Sequence, residues 1–236
     1  MIYGQSIYAD EDLYRLKAGL EALSGRYRFE YEIVNMNEIE LKLKEEDDVL
    51  KILSESEFKH YSSLKLPKNR IQWLAGRYAV KSALFKYKLG GKSLMNLNCI
   101  DVLKGYNSAP YIMQYPGIVC SISHSSPYCV GVVSDKRIGI DIEKVAIPED
   151  SLIRYFYSKN EKDVLKNCKD KGEYSIRAMS FWTRKEAVSK LLGLGMKMNF
   201  KELDTAEEKI QLSLLPDKDI VLASIDSGNY CLSLAV

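Results

Sequence analysis

No stretch of this 236-residue chain approaches the roughly 18 consecutive apolar residues of a membrane span, although 46% of it is hydrophobic. The start, Met1-Ile2-Tyr3-Gly4-Gln5, lacks the basic residues and apolar run of an export signal, so a cytoplasmic location and no membrane partner are expected. The five cysteines (Cys99, Cys120, Cys129, Cys168, Cys231) include no C-x-x-C pair. With only His60 and His124 beside them, structural zinc is not expected and free thiols are. Acid is missing from one long segment: between Phe58 and Ile100 there is no Asp or Glu. Lys59, Lys65, Lys68, Arg70, Arg77, Lys81, Lys86, Lys88 and Lys92 fall there instead. A net charge of +2 hides this asymmetry, which predicts an anionic partner for that segment.

Two segments share a skeleton. Ser54-x-x-Glu57 leads to Trp73-x3-Arg77-x3-Lys81, and Ser158-x-x-Glu161 leads to Trp182-x3-Glu186-x3-Lys190. Each reads as a capped helix, a second helix closed by glycine (Gly90-Gly91; Gly193 and Gly195), and then β-rich chain around Tyr128-Cys129-Val130 or Tyr230-Cys231-Leu232. The expected architecture is α+β. It has two similar lobes, residues 1–134 and 138–236, each a small, mainly antiparallel sheet packed with helices and meeting near Ser134-Asp135-Lys136-Arg137. In this alignment Arg77 of one lobe matches Glu186 of the other. One lobe would then suit anions and the other a cation, with the site in the cleft between them.

Four constellations carry chemistry. In Ile138-Gly139-Ile140-Asp141-Ile142-Glu143 the isoleucines share one strand face, so Asp141 and Glu143 share the other, where a hard cation such as Mg2+ or simple solvation would relieve their repulsion. Helical spacing in Phe181-Trp182-Thr183-Arg184-Lys185-Glu186-Ala187-Val188-Ser189-Lys190 puts Thr183, Glu186 and Lys190 together; by itself that is also the pattern of a surface ion pair. A helix from about Arg70 to Lys88 aligns Arg70, Arg77, Lys81 and Lys88 in a stripe bordered by apolar residues, which fits phosphate binding and snorkelling lysines equally. Finally, Ser121-Ile122-Ser123-His124-Ser125-Ser126-Pro127 is a strand end that can offer hydroxyls and an imidazole to a phosphate.

Taken in order, Ile122-Ser123-His124-Ser125, then Ile138 to Glu143, then Phe181-Trp182-Thr183-Arg184-Lys185-Glu186-Ala187 with Lys190 and Gly193-Leu194-Gly195, resemble the Sfp-type 4'-phosphopantetheinyl transferases of the monomeric, two-lobe kind. The resemblance spans about Arg70 to Gly195. It implies transfer of the 4'-phosphopantetheine arm of coenzyme A to a serine of an apo acyl carrier protein or peptidyl carrier domain, with release of 3',5'-ADP. By the same resemblance Asp141, Glu143 and Glu186 hold Mg2+ or Mn2+, Glu186 also serves as base, and Lys190 offsets charge on the departing nucleotide. Arg70, Arg77, Lys81, Ser123 and His124 are then similar to the residues that hold the phosphates of coenzyme A. The chain departs from the family at Ala109, before Pro110, where lysine is frequent, and at Ser126, where glycine is; Lys104 is a nearby base. Two rivals are a coenzyme A or carrier-binding module without catalysis and a nucleic-acid surface on the basic segment. The isoelectric point near 8.1 weighs against the second.

Overall fold

The computed structural model describes residues 10–43, 45–90, 96–105, 107–212 and 215–236. Met1 to Gln5, Gly91 and Lys92, on which some readings above rest, lie outside the described residues. The chain begins with α1 (Glu11–Tyr27), β1 (Glu30–Asn35), α2 (Met36–Lys42), α3 (Glu46–Leu50), α4 (Glu55–Ser63) and α5 (Pro67–Leu89). After a short 3-10 turn come β2 (Val102–Lys104), β3 (Pro110–Ile112), β4 (Val119–Ser125) and β5 (Tyr128–Ser134). The second half comprises β6 (Gly139–Lys144), α6 (Asp150–Phe156), α7 (Lys159–Lys166), α8 (Lys171–Leu192), β7 (Lys209–Leu212), β8 (Leu215–Asp226) and β9 (Tyr230–Ala235). Two antiparallel sheets result, ordered β1-β5-β4-β3-β2 and β6-β9-β8-β7, and in each the first strand of the half pairs with the last.

The helix ends follow from local chemistry. Ser54 and Ser158 form complete capping boxes with Glu57 and Glu161, each serine hydroxyl accepting from the glutamate N–H while the glutamate accepts from the serine N–H. Pro67 opens α5, where its missing N–H is no loss, and Gly90 and Gly193 end α5 and α8 in the left-handed conformation.

Both capping glutamates do a second task, and this corrects the register of the internal repeat. Glu57 pairs with Lys81 and Glu161 with Lys185, and all four side chains are fully buried. Glu57 also accepts from Val102 N–H at 2.8 Å, and Glu161 from Thr205 N–H at 2.8 Å. Each lysine donates to carbonyls as well, Lys81 to Ile52 at 2.7 Å and Lys185 to Phe200 at 2.8 Å. The positions 54, 57 and 81 against 158, 161 and 185 keep a constant step of 104. Lys81 therefore corresponds to Lys185, not to Lys190, and Arg77 does not match Glu186. The tryptophans that suggested the other register carry no common role.

The sheets meet in one core. Leu16 and Leu20 of α1 pack with Ile33, Val130 and Val132 of the first sheet and with Ile138, Ile140, Ile142, Leu232 and Leu234 of the second. At its centre the rings of Tyr128 and Tyr230 meet edge to face, 4.8 Å between centroids. Against the outer faces lie α5 and α8, each close enough to its sheet to demand glycine. A Cβ on Gly139 would fall 2.0 Å from the Ala187 carbonyl oxygen, so β6 and α8 touch backbone to backbone. That contact brings Lys190 over Asp141.

Candidate active site

A cavity of about 610 Å³ opens between the halves. Its walls come from α4 and α5 (His60, Trp73, Gly76, Arg77), from β2, β3 and their connection (Lys104, Ser108, Pro110), from β4 (Ile122, Ser123, His124) and, across the junction, from Asp141, Glu143 and Lys190.

The alternation in β6 works as the sequence suggests: Ile140 and Ile142 enter the core while Asp141 and Glu143 face the cavity. Asp141 is buried. Its Oδ1 accepts from Lys190 Nζ and from Ser123 Oγ, both at 2.7 Å, whereas Oδ2 is buried without a partner. Glu143 Oε2 accepts from Ser125 Oγ at 3.2 Å. Burial and the charge of Asp141 push the Glu143 carboxyl above its ordinary range, with Ser125 and Lys190 opposing. Glu186 does not line the cavity. Burial, then the charge of Asp141, push it up to about 7, with Lys190 opposing and Glu143 adding to the rise. Three carboxyl groups thus sit within electrostatic reach of one another with one lysine to balance them.

Among the described residues no three His, Cys, Asp or Glu side chains already converge as a metal cage. The residues nevertheless fit a hard divalent cation. The donors are all oxygen, and Asp141 keeps one buried oxygen unpartnered.

The opposite wall suits an anion. Arg77 stacks on Trp73, 4.0 Å from guanidinium carbon to ring centroid, and its Nε is buried without a partner. His124 is held below its ordinary pKa by burial, then by the charge of Lys190.

Two sequence-predicted phosphate contacts are corrected. Lys81 is fully buried against Glu57 and never reaches the cavity, because helical periodicity cannot separate a snorkelling lysine from one that folds inward onto a buried acid. Arg70 is tied to the turn between α4 and α5, donating from Nε to the Leu64 carbonyl at 2.7 Å and from Nη2 to the Ser62 carbonyl at 3.3 Å, and does not line the cavity. Ser123 does line it, but its single proton goes to Asp141. Several wall residues were not counted among the site residues, Trp73, His60 and Lys104 among them. Trp73 was legible as the i,i+4 neighbour of Arg77, while His60 enters only because α4 folds back on α5, its ring 5.1 Å from that of Trp73. Lys104 is brought to the wall by pairing of β2 with β3, opposite Pro110.

The connection from Lys104 to Pro110 is held by Asn107. Its Oδ1 accepts from Ala109 N–H at 3.2 Å, and its Nδ2 donates to the Gly193 carbonyl at 3.1 Å, at the end of the helix that carries Lys190. Ser108 is thereby kept at φ +67°, where a Cβ is strained. Ser108→Gly should stabilise the protein by roughly 0.5–1 kcal/mol, the relief of strain exceeding the extra chain entropy of glycine. A thermal melt checks this; a lowered Tm would show that the hydroxyl matters more than the backbone.

Comparison with known proteins bears on the same residues. A sequence model of the 4'-phosphopantetheinyl transferase superfamily matches residues 137–235, the stretch that holds Asp141, Glu143, Glu186 and Lys190. A 4'-phosphopantetheinyl transferase of Bacillus pumilus is 33% identical over 91 residues, 38% of this chain and 38% of that enzyme. A holo-[acyl-carrier-protein] synthase of Mycoplasma capricolum is 36% identical over 94 residues, 39% of this chain and 80% of that protein. The solved holo-(acyl-carrier-protein) synthase of Bacillus anthracis, in complex with CoA (3',5'-ADP), shares 26% identity at a TM-score of 0.39 over 44% of this chain and 91% of that one. The matched part thus spans well under half of the Bacillus pumilus relative and most of the Mycoplasma one. The chain, which covers four fifths of the Mycoplasma synthase at 36% identity, belongs to the 4'-phosphopantetheinyl transferase superfamily.

Proposed function

We propose that this protein transfers the 4'-phosphopantetheine moiety of coenzyme A to a serine of an acyl carrier protein or peptidyl carrier domain, with Mg2+ or Mn2+, and releases 3',5'-ADP. One observation carries the reading: a single cavity joins Arg77, whose buried Nε has no partner, on one side with two strand carboxylates and the Lys190 ammonium on the other. A polyphosphate that also binds a cation needs both walls at once.

In this reading Arg77 and His124 hold phosphate oxygens, with Lys104 adding positive charge where the family frequently has lysine at the position of Ala109. Asp141, Glu143 and Glu186 would hold the divalent cation, which supplies charge neutralisation at the pyrophosphate. Glu186 would also take the proton of the attacking serine. Lys190 places its ammonium beside the strand carboxylates, where it offsets charge gathering on the leaving nucleotide. The lobe of residues 1–134 then supplies mainly phosphate contacts and the lobe of residues 138–236 mainly acid. A monomer suffices, because both walls come from one chain. A cytoplasmic location agrees with five free cysteines, and among the described residues no helix is long and apolar enough to cross a membrane.

The raised carboxyls give this reading a pH signature. A carboxyl whose folded pKa lies above its unfolded value binds more protons when folded, so its contribution to stability falls as pH rises from the unfolded value through about 7. A divalent cation replaces those protons. Added Mg2+ should therefore raise Tm more at pH 8 than at pH 5.5, and an equal or reversed effect would remove Glu186 from the cation site.

The reaction is tested by chromatographic detection of 3',5'-ADP from coenzyme A, apo carrier and Mg2+. Release that needs all three supports the proposal. Coenzyme A binding without release favours a binding module.

A further inference from the structure

Strand β6 is an edge of its sheet. On one side it pairs with β9, and among the described residues no strand backbone pairs with the other. Such an edge leaves alternate N–H groups without ladder partners. Here the N–H groups of Ile140, Ile142 and Lys144 donate to the hydroxyls of Ser121, Ser123 and Ser125 on β4, at 3.2, 3.3 and 3.0 Å. Every second residue of one strand thus meets every second residue of the other, the two-residue period of both. The lobes are joined by side-chain hydroxyls where two paired strands would be joined by carbonyls.

A serine hydroxyl that accepts one N–H still has a proton to give. Ser123 gives it to Asp141 and Ser125 gives it to Glu143, in each case the residue just before the N–H that the same serine accepts. At the third rung the residue before Ile140 is Gly139, which has no side chain to receive a proton. The same seam therefore contains two rungs that grip a carboxylate and one that does not.

We infer that Ser123 and Ser125 are positioning residues for the strand carboxylates, and that this, not contact with phosphate, is the task of the Ser123 hydroxyl. Its one proton cannot serve a phosphate and Asp141 at once, and turning it away would leave Asp141 held through Lys190 while its other oxygen still lacks a protein partner. Each serine fixes one oxygen of its acid and leaves the second free of that bond. The inference rests on the proposed cation-facing role of Asp141 and Glu143, and Ser121 is its internal control.

Ser121→Ala removes one seam bond, whereas Ser123→Ala and Ser125→Ala each remove a seam bond and a bond to a carboxylate, so all three should lower Tm and Ser121→Ala least. Binding of Mn2+, followed by electron paramagnetic resonance, should weaken about fivefold or more in Ser123→Ala and Ser125→Ala and stay within twofold in Ser121→Ala. Ser125→Thr, which keeps a hydroxyl, should recover most of the loss. Equal weakening in all three, or none in Ser125→Ala, overturns the inference; should Ser123→Ala not fold, Ser125→Ala decides alone. If the wild-type protein binds no Mn2+, the proposed cation site fails separately. The carboxyl 13C shift of Glu143 then decides. Movement in Ser125→Ala but not in Ser121→Ala upholds positioning, and no movement in either refutes it.

Discussion

Glu186→Gln should lower the rate of phosphopantetheine transfer by about 10²- to 10⁴-fold, the range expected when a positioned acid–base group is removed. Glutamine has nearly the shape of glutamate, so packing around α8 should persist. The neutral amide also removes a charge that burial, then repulsion from Asp141 and Glu143, disfavours, the causes that push the Glu186 carboxyl up to about 7. The variant should therefore melt at or slightly above the temperature of the parent. Binding of coenzyme A should fall far less than turnover, because Glu186 stands off the cavity wall while Arg77 and His124 form it. A variant that folds and keeps near-parental turnover would take Glu186 out of the chemistry.

Lys81→Met should act in the opposite way, on stability and not on the site. Removing one partner of a fully buried ion pair leaves the other as an uncompensated charge, at a cost of about 3–5 kcal/mol. For a chain of this size that corresponds to roughly 6–20 °C in Tm. Coenzyme A affinity of the molecules that remain folded should not change. The double variant Glu57→Gln/Lys81→Met removes both charges yet keeps an amide oxygen for the N–H of Val102, so much of the loss should be recovered. Loss of affinity at unchanged Tm would restore Lys81 to the phosphate site. The same contrast should hold for Lys185 and Glu161, because the network is repeated.

These two variants mark what the sequence made legible. The alternation around Asp141 and Glu143, the capping boxes and the glycine ends of α5 and α8 are local patterns, and local patterns survive folding. The existence of an internal repeat was legible for the same reason. Its register was not, because the partner of Lys81 lies 24 residues back on another helix, and nothing in the spacing of α5 distinguishes Lys81 from a residue that faces the cleft. Arg70 misled in the same way, its charge being spent on carbonyls of the preceding turn. His60 and Lys104 reach the wall through a helix hairpin and a strand pairing, contacts between elements that the periodicity within one element does not show. The first lobe's outer half was legible only in outline. The part played by α1, whose Leu16 and Leu20 fill the junction between the sheets, required seeing the second sheet.

The central claim is tested most directly by intact mass. An apo acyl carrier protein and an apo peptidyl carrier domain would each be incubated with the protein, coenzyme A and Mg2+, beside a control with EDTA. A gain of one phosphopantetheine on the carrier serine, lost with EDTA, is the predicted result. No gain on either carrier, with coenzyme A shown to be bound, would contradict the proposed transfer.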